Sequence, residues 1–278
     1  MVRDMITTTS EDFGPAQLEQ ATETLASMHE ASTTSIVDEE LLEKGYAQVH
    51  TVGGAASAER QPPLVHLVWN QNGASENGAL PKFVFVGKGV CYDIRGLSLK
   101  PTSGMITIKK DMGGAAHVLG LAHMIIDAEL RVELHVLVPA VENSVSSNSF
   151  RPGDVLMARN GKATLNSNSD AEGQLILADA LVAGSELDPD VMIDCATLTG
   201  AQRVAMGPDI PSFFSTDDEF GMRLWEASKQ EGDLMWPLPL HEPYRKMLDC
   251  AVADVQSCGS EGLARCIVAA PCLIASGY

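Results

Sequence analysis

Two lysines and four carboxylates are spaced along the chain as candidates for one shared site. They are Lys88, Asp93, Lys100 and Asp111 in one stretch, followed by Asp170 and Glu172 in a second. Carboxylates gathered in one cleft repel one another and resist desolvation unless cations neutralise them. Two divalent metal ions would neutralise them and would make a water molecule nucleophilic near neutral pH. The set therefore predicts a two-metal hydrolytic site.

The donor types narrow the choice of metal. Oxygen ligands suit Mg²⁺, Mn²⁺ or Zn²⁺, and no histidine falls within either stretch, so an HExxH site is not indicated. A lysine binds metal only as a neutral amine, whereas Lys100 could stay protonated and polarise a carbonyl group. Each residue alone also has an ordinary interpretation, since Asp170 could simply cap the helix that follows it. Only the joint arrangement favours a site.

Composition excludes several classes of protein. The chain has 278 residues, with 19 Lys and Arg against 37 Asp and Glu, a formal net charge of −18. This charge disfavours binding to nucleic acid or to anionic lipid. No apolar run approaches the roughly 20 residues of a membrane span, and the first residues lack the apolar core of a signal peptide, which predicts a cytoplasmic protein. The six cysteines form no CxxC pair and are interpreted as reduced thiols.

The elements that must position these residues alternate along the chain. Helices are predicted from Pro15 to Met28, from Asp38 to Lys44, at 115–125 and at 171–184, and strands at 64–69, 83–86, 134–138 and 191–195. The alternation predicts one layered α/β/α domain with a mostly parallel central sheet. The strand at 83–86 leads directly to Lys88, so the first stretch begins where open α/β sheets place their ligands.

Several segments resemble the leucyl aminopeptidase family of dinuclear metallopeptidases. The resemblance runs from about Arg3 to about Ala264 and rests on VGKGVCYDIRGLSLKPTSGMITIKKDMGGAAHVLGLA, RPGDVLMARNG, NSDAEGQLILADAL and ATLTGAQRVAMGPDIP. The DMGGAA and DAEG elements are specific to the family in this order and at this interval. The resemblance implies the catalytic domain of a leucyl aminopeptidase.

The resemblance also implies a role for each residue of the opening set. Asp93 and Glu172 would bridge two divalent metal ions (Zn, Mn or Mg). Lys88 and Asp111 would complete the coordination of one ion, and Asp170 would serve the other with its carboxylate and backbone carbonyl. Lys100 would be a catalytic group that stabilises the developing oxyanion.

The implied substrates are peptides, cleaved at the first peptide bond because the free amine binds a metal. Ile108, Thr197, Leu198 and Gly200 would form the pocket for the first side chain, with leucine-like residues preferred. Members of the family are typically homohexamers, so a homo-oligomer is expected. No nucleic-acid or membrane partner is expected.

Two positions depart from the family pattern. Gln174 stands where the family has a catalytic arginine that holds a bicarbonate ion, and an amide cannot replace a guanidinium fork for an anion. Arg95 stands in a segment that is small and glycine-rich in the family, where its charge would compete with the metals for Asp93. Both departures put bicarbonate binding and catalysis in doubt.

Length suggests a catalytic domain over residues 1–278 that lacks the family's separate amino-terminal domain and its carboxyl-terminal end.

Two functions stay open. The first is a metal-dependent aminopeptidase, of full or weakened activity, that uses a water activated by two metals. The second is a non-catalytic metal-binding relative with a structural or assembly role. The intact ligand set favours the first, and Gln174 and Arg95 favour the second.

Overall fold

The computed structural model describes residues 1–70, 74–75, 78–98, 102–259 and 262–275. Its helices are α1 (Val2–Thr7), α2 (Pro15–Met28), α3 (Glu39–Glu43), α4 (Ala47–Gly53), α5 (Thr102–Met105), α6 (Gly113–Asp127), α7 (Glu172–Ser185), α8 (Ala201–Met206), α9 (Asp218–Gln230) and α10 (Arg265–Ala275). Short 3₁₀ helices occupy Ala58–Arg60, Ile108–Met112 and Glu242–Leu248. Within these described ranges, no helix is both long and apolar enough to cross a membrane.

The strands form one large sheet and three small ones. They are β1 (Ser32–Val37), β2 (Pro63–Trp69), β3 (Ala74–Ser75), β4 (Gly78–Ala79), β5 (Lys82–Gly87), β6 (Gly89–Asp93), β7 (Glu133–Asn143), β8 (Val155–Met157), β9 (Ala163–Leu165), β10 (Val191–Cys195), β11 (Ser212–Phe213), β12 (Trp236–Pro237) and β13 (Val255–Gln256). The large sheet has the order β1-β2-β7-β5-β10, and β6 continues from β5 to pair with β7.

Strand directions confirm a mostly parallel sheet with one exception. β5 is parallel to both β7 and β10, and β6 is parallel to β7. β2 is antiparallel to both of its neighbours, β1 and β7, so it alone runs against the other strands of this sheet. The carboxyl ends of β5, β10 and β7 therefore lie toward the same edge. The sheet is mixed, although most of its strands share one direction.

Helices cover both faces of the sheet, which confirms the layered α/β/α fold. On one face, α2 and α6 pack with Phe85 and its neighbours in a core that includes Leu18 and Leu119. On the other face, α4 and α7 pack with Val84 and Val86. The alternation along β5 follows from the two-residue period of a strand. A strand buried on both faces reads as the continuous apolar run Phe83–Val86 in the sequence.

The structure describes the side chains of five of the six cysteines, and the interpretation as reduced thiols stays a prediction. Five of them are free in the described part of the chain: Cys91, Cys195, Cys250, Cys258 and Cys266. Burial raises the pKa of Cys195 to about 11, so this thiol stays protonated at neutral pH.

A pair of histidines, His135 buried and His66 partly buried, predicts that the stability of the fold is sensitive to acid. The Nε2 atom of His66 lies 3.0 Å from Nδ1 of His135. Burial, and then the charge of His135, lowers the pKa of His66 from 6.5 to about 4. The unfolded chain therefore binds this proton more readily than the folded one. The contribution of neutral His66 to the free energy of unfolding is complete above pH 6.5 and is lost as the pH falls toward 4.

We expect the free energy of unfolding to depend less on pH in His66→Gln than in the parent between pH 6.5 and 4. Urea unfolding followed by circular dichroism at several pH values measures this dependence. His241→Gln is the matched control, because His241 is exposed. An unchanged pH profile in His66→Gln would contradict the assignment.

Candidate active site

Lys88 lies at the junction of three elements, at the carboxyl end of β5. Its backbone N–H donates to the carbonyl oxygen of Cys195 at 3.0 Å, which ties it to the end of β10. Its own carbonyl oxygen accepts from the N–H of Ala115 at 2.9 Å, which ties it to the first turn of α6. The predicted position of Lys88 at a strand's carboxyl end is confirmed, and its backbone is held from both sides.

This junction has no room for side chains at its glycines. A Cβ atom added to Gly114 would lie 2.0 Å from the carbonyl oxygen of Cys195 and 2.9 Å from the backbone nitrogen of Lys88. A Cβ added to Gly173 of α7 would lie 2.8 Å from Nζ of Lys88. Both glycines are needed because two helices approach Lys88 more closely than any side chain permits.

The Lys88 ammonium group lies between two buried carboxylates. Nζ is 2.8 Å from Oδ2 of Asp111 and 2.9 Å from Oε1 of Glu172, and it donates to the carbonyl oxygen of Thr197 at 3.2 Å. Burial opposes the charge of Lys88, but the carboxylates of Asp111 and Glu172 outweigh it and raise its pKa above the ordinary value. To act as a metal ligand, Lys88 would have to lose this proton to the charge of the incoming cations.

Three carboxylates converge beside this group. Donor oxygens of Asp93, Asp170 and Glu172 all lie within 4.8 Å of one another. Asp93 and Glu172 are buried, with exposed fractions of 2% and 1%, and Asp170 is partly buried. Since Glu172 also contacts Lys88, it joins the two halves of the site. The structure thus brings together Lys88, Asp93, Asp111, Asp170 and Glu172, five residues drawn from distant parts of the chain.

The donor set fits divalent cations. Oε2 of Glu172 is buried without a hydrogen-bond partner among the described residues. Burial raises the pKa of Glu172, an effect that Lys88 opposes and that Asp111 and Asp170 reinforce. Four carboxylates meet here with their formal negative charges, and in the described part of the chain Lys88 forms ion pairs with Asp111 and Glu172, and Arg95 with Asp170. A divalent ion would both coordinate the unpartnered oxygen and offset that charge.

Asn143 is a site residue that the sequence did not indicate. It ends β7, is fully buried and donates from Nδ2 to Oδ1 of Asp93 at 2.9 Å and to the carbonyl oxygen of Ser169 at 2.9 Å. It therefore orients Asp93 and ties it to the residue before Asp170. A sequence signal for Asn143 was present. The residue follows a long, largely apolar run that forms β7, and the carboxyl end of β7 lies beside β5 and β6, the strands on either side of Lys88.

Arg95 contacts the cluster at two points. Its backbone N–H donates to Oδ1 of Asp93 at 2.8 Å. Its guanidinium Nε lies 2.6 Å from Oδ1 of Asp170. The sequence predicted that the charge of Arg95 would compete for Asp93; the ion pair that the structure places on it is with Asp170. The guanidinium group therefore lies beside Asp170, and competition of its charge with metal ions for Asp93 stays a prediction.

The predicted pocket residues differ in how closely they contact this centre. Thr197 donates from Oγ1 to Oδ1 of Asp111 at 2.7 Å and to its carbonyl oxygen at 3.0 Å. Ile108 is buried at the start of the 3₁₀ helix that carries Asp111. Leu198 packs against the core under α7, and Gly200 precedes α8, where an added Cβ would meet open space.

Of the two predicted catalytic residues, the structure describes Gln174, and its catalytic role stays a prediction. Gln174 lies in the first turn of α7, two residues after Glu172, with an exposed fraction of 9%. Its Oε1 atom is buried without a hydrogen-bond partner among the described residues. Lys100 lies outside the described residues, so its predicted role stays a prediction.

The fold and the site together define a class: a layered α/β protein with a buried lysine–carboxylate centre at the carboxyl ends of its parallel strands. Residues 1–275 match the catalytic domain of the cytosol aminopeptidase family. The chain belongs to this family. The resemblance stated from the sequence is confirmed.

Similar proteins agree with this assignment. The chain is 42% identical over 265 residues to Peptidase B of Pectobacterium carotovorum subsp. carotovorum, an alignment that covers 93% of the chain and 59% of that relative. The crystal structure of a cytosol aminopeptidase from Coxiella burnetii superposes with a TM-score of 0.92 at 44% identity, covering 98% of this chain and 58% of the other. An apo leucyl aminopeptidase from Trypanosoma cruzi gives 0.91 at 29% identity, covering 98% and 52%. The chain spans somewhat more than half the length of these relatives.

Proposed function

We propose that this chain forms the catalytic part of a metal-dependent aminopeptidase that releases N-terminal residues, leucine-like ones preferred, from peptides. The observation that carries the proposal is the convergence of Asp93, Asp170 and Glu172, with donor oxygens within 4.8 Å, beside the Lys88–Asp111 pair. Membership of the cytosol aminopeptidase family supports the reaction class. Two solved relatives are named a cytosol aminopeptidase and a leucyl aminopeptidase, which supports a cytoplasmic location and a leucine-like first residue.

The contacts suggest how the residues would share two divalent ions, Zn, Mn or Mg. Glu172 contacts Lys88 and also lies in the cluster with Asp93 and Asp170, which supports a bridging role for it. Asp93 would be the second bridge, Lys88 and Asp111 would complete one sphere, and Asp170 would serve the other. When bound, such ions supply a water activated near neutral pH and polarise the peptide carbonyl.

The remaining residues would orient and bind. Asn143 holds Asp93, and Thr197 holds Asp111, so the carboxylates cannot rotate away from the centre. Ile108, Leu198 and Gly200 would form the side-chain pocket together with Thr197.

Two further residues, Lys100 and Gln174, would lie beside that pocket at the positions of the family's catalytic groups. Lys100 would stabilise charge on the carbonyl oxygen. Gln174 would stand at the anion position as a neutral amide, so bicarbonate would bind weakly. We also propose that the protein assembles as a homohexamer, as the family resemblance implies.

A non-catalytic metal-binding relative is the second candidate. The Arg95–Asp170 ion pair favours it, because a fixed cation at one end of the centre opposes a second metal there. The uncharged Gln174 favours it as well, since it gives no charge to hold an anionic base.

One experiment separates the two candidates. Bound metal is measured by mass spectrometry, and hydrolysis of leucine p-nitroanilide is followed, for the parent chain and for Arg95→Gly/Gln174→Arg. An active peptidase is expected to bind metal in both and to gain about tenfold or more in rate in the double variant. Metal without hydrolysis in the parent, with hydrolysis restored in the double variant, would establish the non-catalytic candidate. Absence of metal from both would refute the proposal.

A further inference from the structure

A second group of side chains with metal-ligand atoms lies apart from the candidate active site. Donor atoms of Asp38, Glu39 and His50 all lie within 4.8 Å of one another. Asp38 follows the carboxyl end of β1, Glu39 begins α3, and His50 lies in α4. β2 and β7 separate β1 from β5 in the sheet, which puts roughly 14 Å between those two strands. The group shares no residue with the proposed metal centre around Lys88.

Helix capping does not explain the position of the Asp38 carboxylate. An aspartate at the N-cap of a helix normally accepts hydrogen bonds from the backbone N–H groups of the first turn. Asp38 occupies the N-cap position of α3, but its side chain makes no capping hydrogen bond. Its Oδ2 atom instead accepts a hydrogen bond from Nε2 of Gln61 at 2.8 Å. Gln61 therefore orients this carboxylate beside Glu39 and His50.

The carboxylates of Asp38 and Glu39 lie close together without a lysine or arginine partner. In the described part of the chain, no ion pair joins either of them to such a side chain. Nε2 of His50 is 3.9 Å from Oε1 of Glu39, which is too long for a hydrogen bond. Two donor atoms that each lie about 2.0–2.1 Å from one ion are themselves roughly 3–4 Å apart. The spacing therefore fits two ligands of a shared cation.

The group opens on a cleft of about 410 Å³. The His50 side chain is 21% exposed and that of Glu39 is 78% exposed, so one side of the group faces solvent. Three protein donors leave a coordination position for water, as in zinc sites with three protein ligands. The remaining polar lining of the cleft includes Thr51, Asn148, Ser149, Arg151 and Asp154.

We propose that Asp38, Glu39 and His50 form a further metal site, for a divalent transition-metal ion such as Zn²⁺, that fastens the start of α3 to α4. An imidazole nitrogen together with carboxylate oxygens suits Zn²⁺, whereas Mg²⁺ and Ca²⁺ take oxygen ligands. The ion would offset the two neighbouring carboxylates, and His50 would bind it as a neutral imidazole. Since α4 packs with α7 in one core, the ion would stabilise that side of the sheet.

The test uses Cu²⁺ as the probe, because pulsed electron paramagnetic resonance detects the remote nitrogen of a coordinated imidazole. The proposed metal centre has no histidine among its ligands, so this signal is separate from it. The full chain is dialysed against graded Cu²⁺, with and without competing Zn²⁺, and bound Cu²⁺ is counted by mass spectrometry.

Two variants each remove one donor, and each has a matched control. His50→Gln is compared with His241→Gln, because His241 is exposed. Glu39→Gln is compared with Glu40→Gln, the exposed neighbour in α3. Circular dichroism checks the fold of each variant, and the exposed Glu39 provides a change that does not disturb the core.

His29→Gln identifies any Cu²⁺ held by the other close histidine pair that the described residues offer on the surface. Nε2 of His29 lies 2.8 Å from Nδ1 of His123, and both rings are partly buried. A Cu²⁺ ion on this pair would also give an imidazole signal. Its loss in His29→Gln, with no loss in His50→Gln, would overturn the assignment to His50.

The parent is expected to bind one Cu²⁺ ion per chain more than His50→Gln, with an imidazole signal that Zn²⁺ removes by competition. Glu39→Gln should bind this ion at least about tenfold more weakly, and both matched controls should behave as the parent does. Equal Cu²⁺ binding in the parent and His50→Gln, or a His50 signal that Zn²⁺ does not displace, would overturn the proposal. Each of these outcomes leaves the metal centre around Lys88 untouched.

Discussion

Lys88→Met is expected to lower the free energy of unfolding by about 3–5 kcal/mol when divalent cations are chelated, as removal of one partner from a buried ion pair usually does. The Lys88 ammonium contacts Asp111 and Glu172 at 2.8 and 2.9 Å, and its side chain is 3% exposed. Methionine fills a similar volume without charge, so both carboxylates would stay buried without their cation. Loss of charge compensation, and not loss of packing, causes the expected effect.

Urea unfolding of the variant and the parent measures this change. Lys82→Met is the matched control, because Lys82 begins β5, the strand that leads to Lys88, is 29% exposed and lies 3.9 Å from its carboxylate partner Glu133. It is expected to lose no more than about 1 kcal/mol. The double variant Lys88→Met/Glu172→Gln should recover part of the lost free energy of unfolding, since it removes one of the two buried carboxylates that Lys88→Met leaves without a cation. A loss in Lys88→Met no larger than in Lys82→Met would contradict the argument.

Much of the framework could be predicted from the sequence because its signals are local. The strand predicted at 191–195 is β10 without change, and the helix predicted at 171–184 differs from α7 by one residue at each end. Apolar runs and helical periodicity depend on a few neighbouring residues, and burial on both faces of the sheet makes them strong. The placement of Lys88 followed from the same signal, since it required only the end of one strand.

Features that depend on distant partners could not be predicted in this way. The polar composition of residues 142–153 is typical of a loop, yet β7 extends to Asn143 because β6 pairs with it there. β1, with the sequence STTSIV, was missed because much of it is polar, and pairing with β2 makes it a strand. The reversed direction of β2 also has no signature in the alternation of strands and helices.

Arg95 illustrates the same limit within the site. The sequence marked it as an unusual residue two positions after Asp93, and from that spacing its charge was expected to act on Asp93. The ion pair on Asp170 depends instead on two loops that are far apart in the chain and that Ser169 brings together. A local pattern identifies which residue departs from expectation, whereas the partner of that residue is a property of the assembled fold.

Gly114→Ala is expected to destabilise the chain by about 1–3 kcal/mol or more, the usual cost of adding atoms to a filled interior. The added Cβ would lie 2.0 Å from the carbonyl oxygen of Cys195, a backbone atom that cannot rotate away. Relief therefore requires α6 to move off the ends of β5 and β10. That movement would weaken the hydrogen bonds that fix Lys88, from its N–H to Cys195 and from Ala115 to its carbonyl.

Thermal stability and Mn²⁺ affinity should therefore both fall in Gly114→Ala. The close contact of Gly114 with Cys195 both packs α6 against the core and positions Lys88. Gly262→Ala is the matched control, since an added Cβ there meets nothing within 4 Å and the residue is exposed. Lowered stability with unchanged Mn²⁺ binding would mean that α6 supports the fold without positioning Lys88. A joint loss would show that the Gly114 contact transmits the position of α6 to the metal-binding lysine.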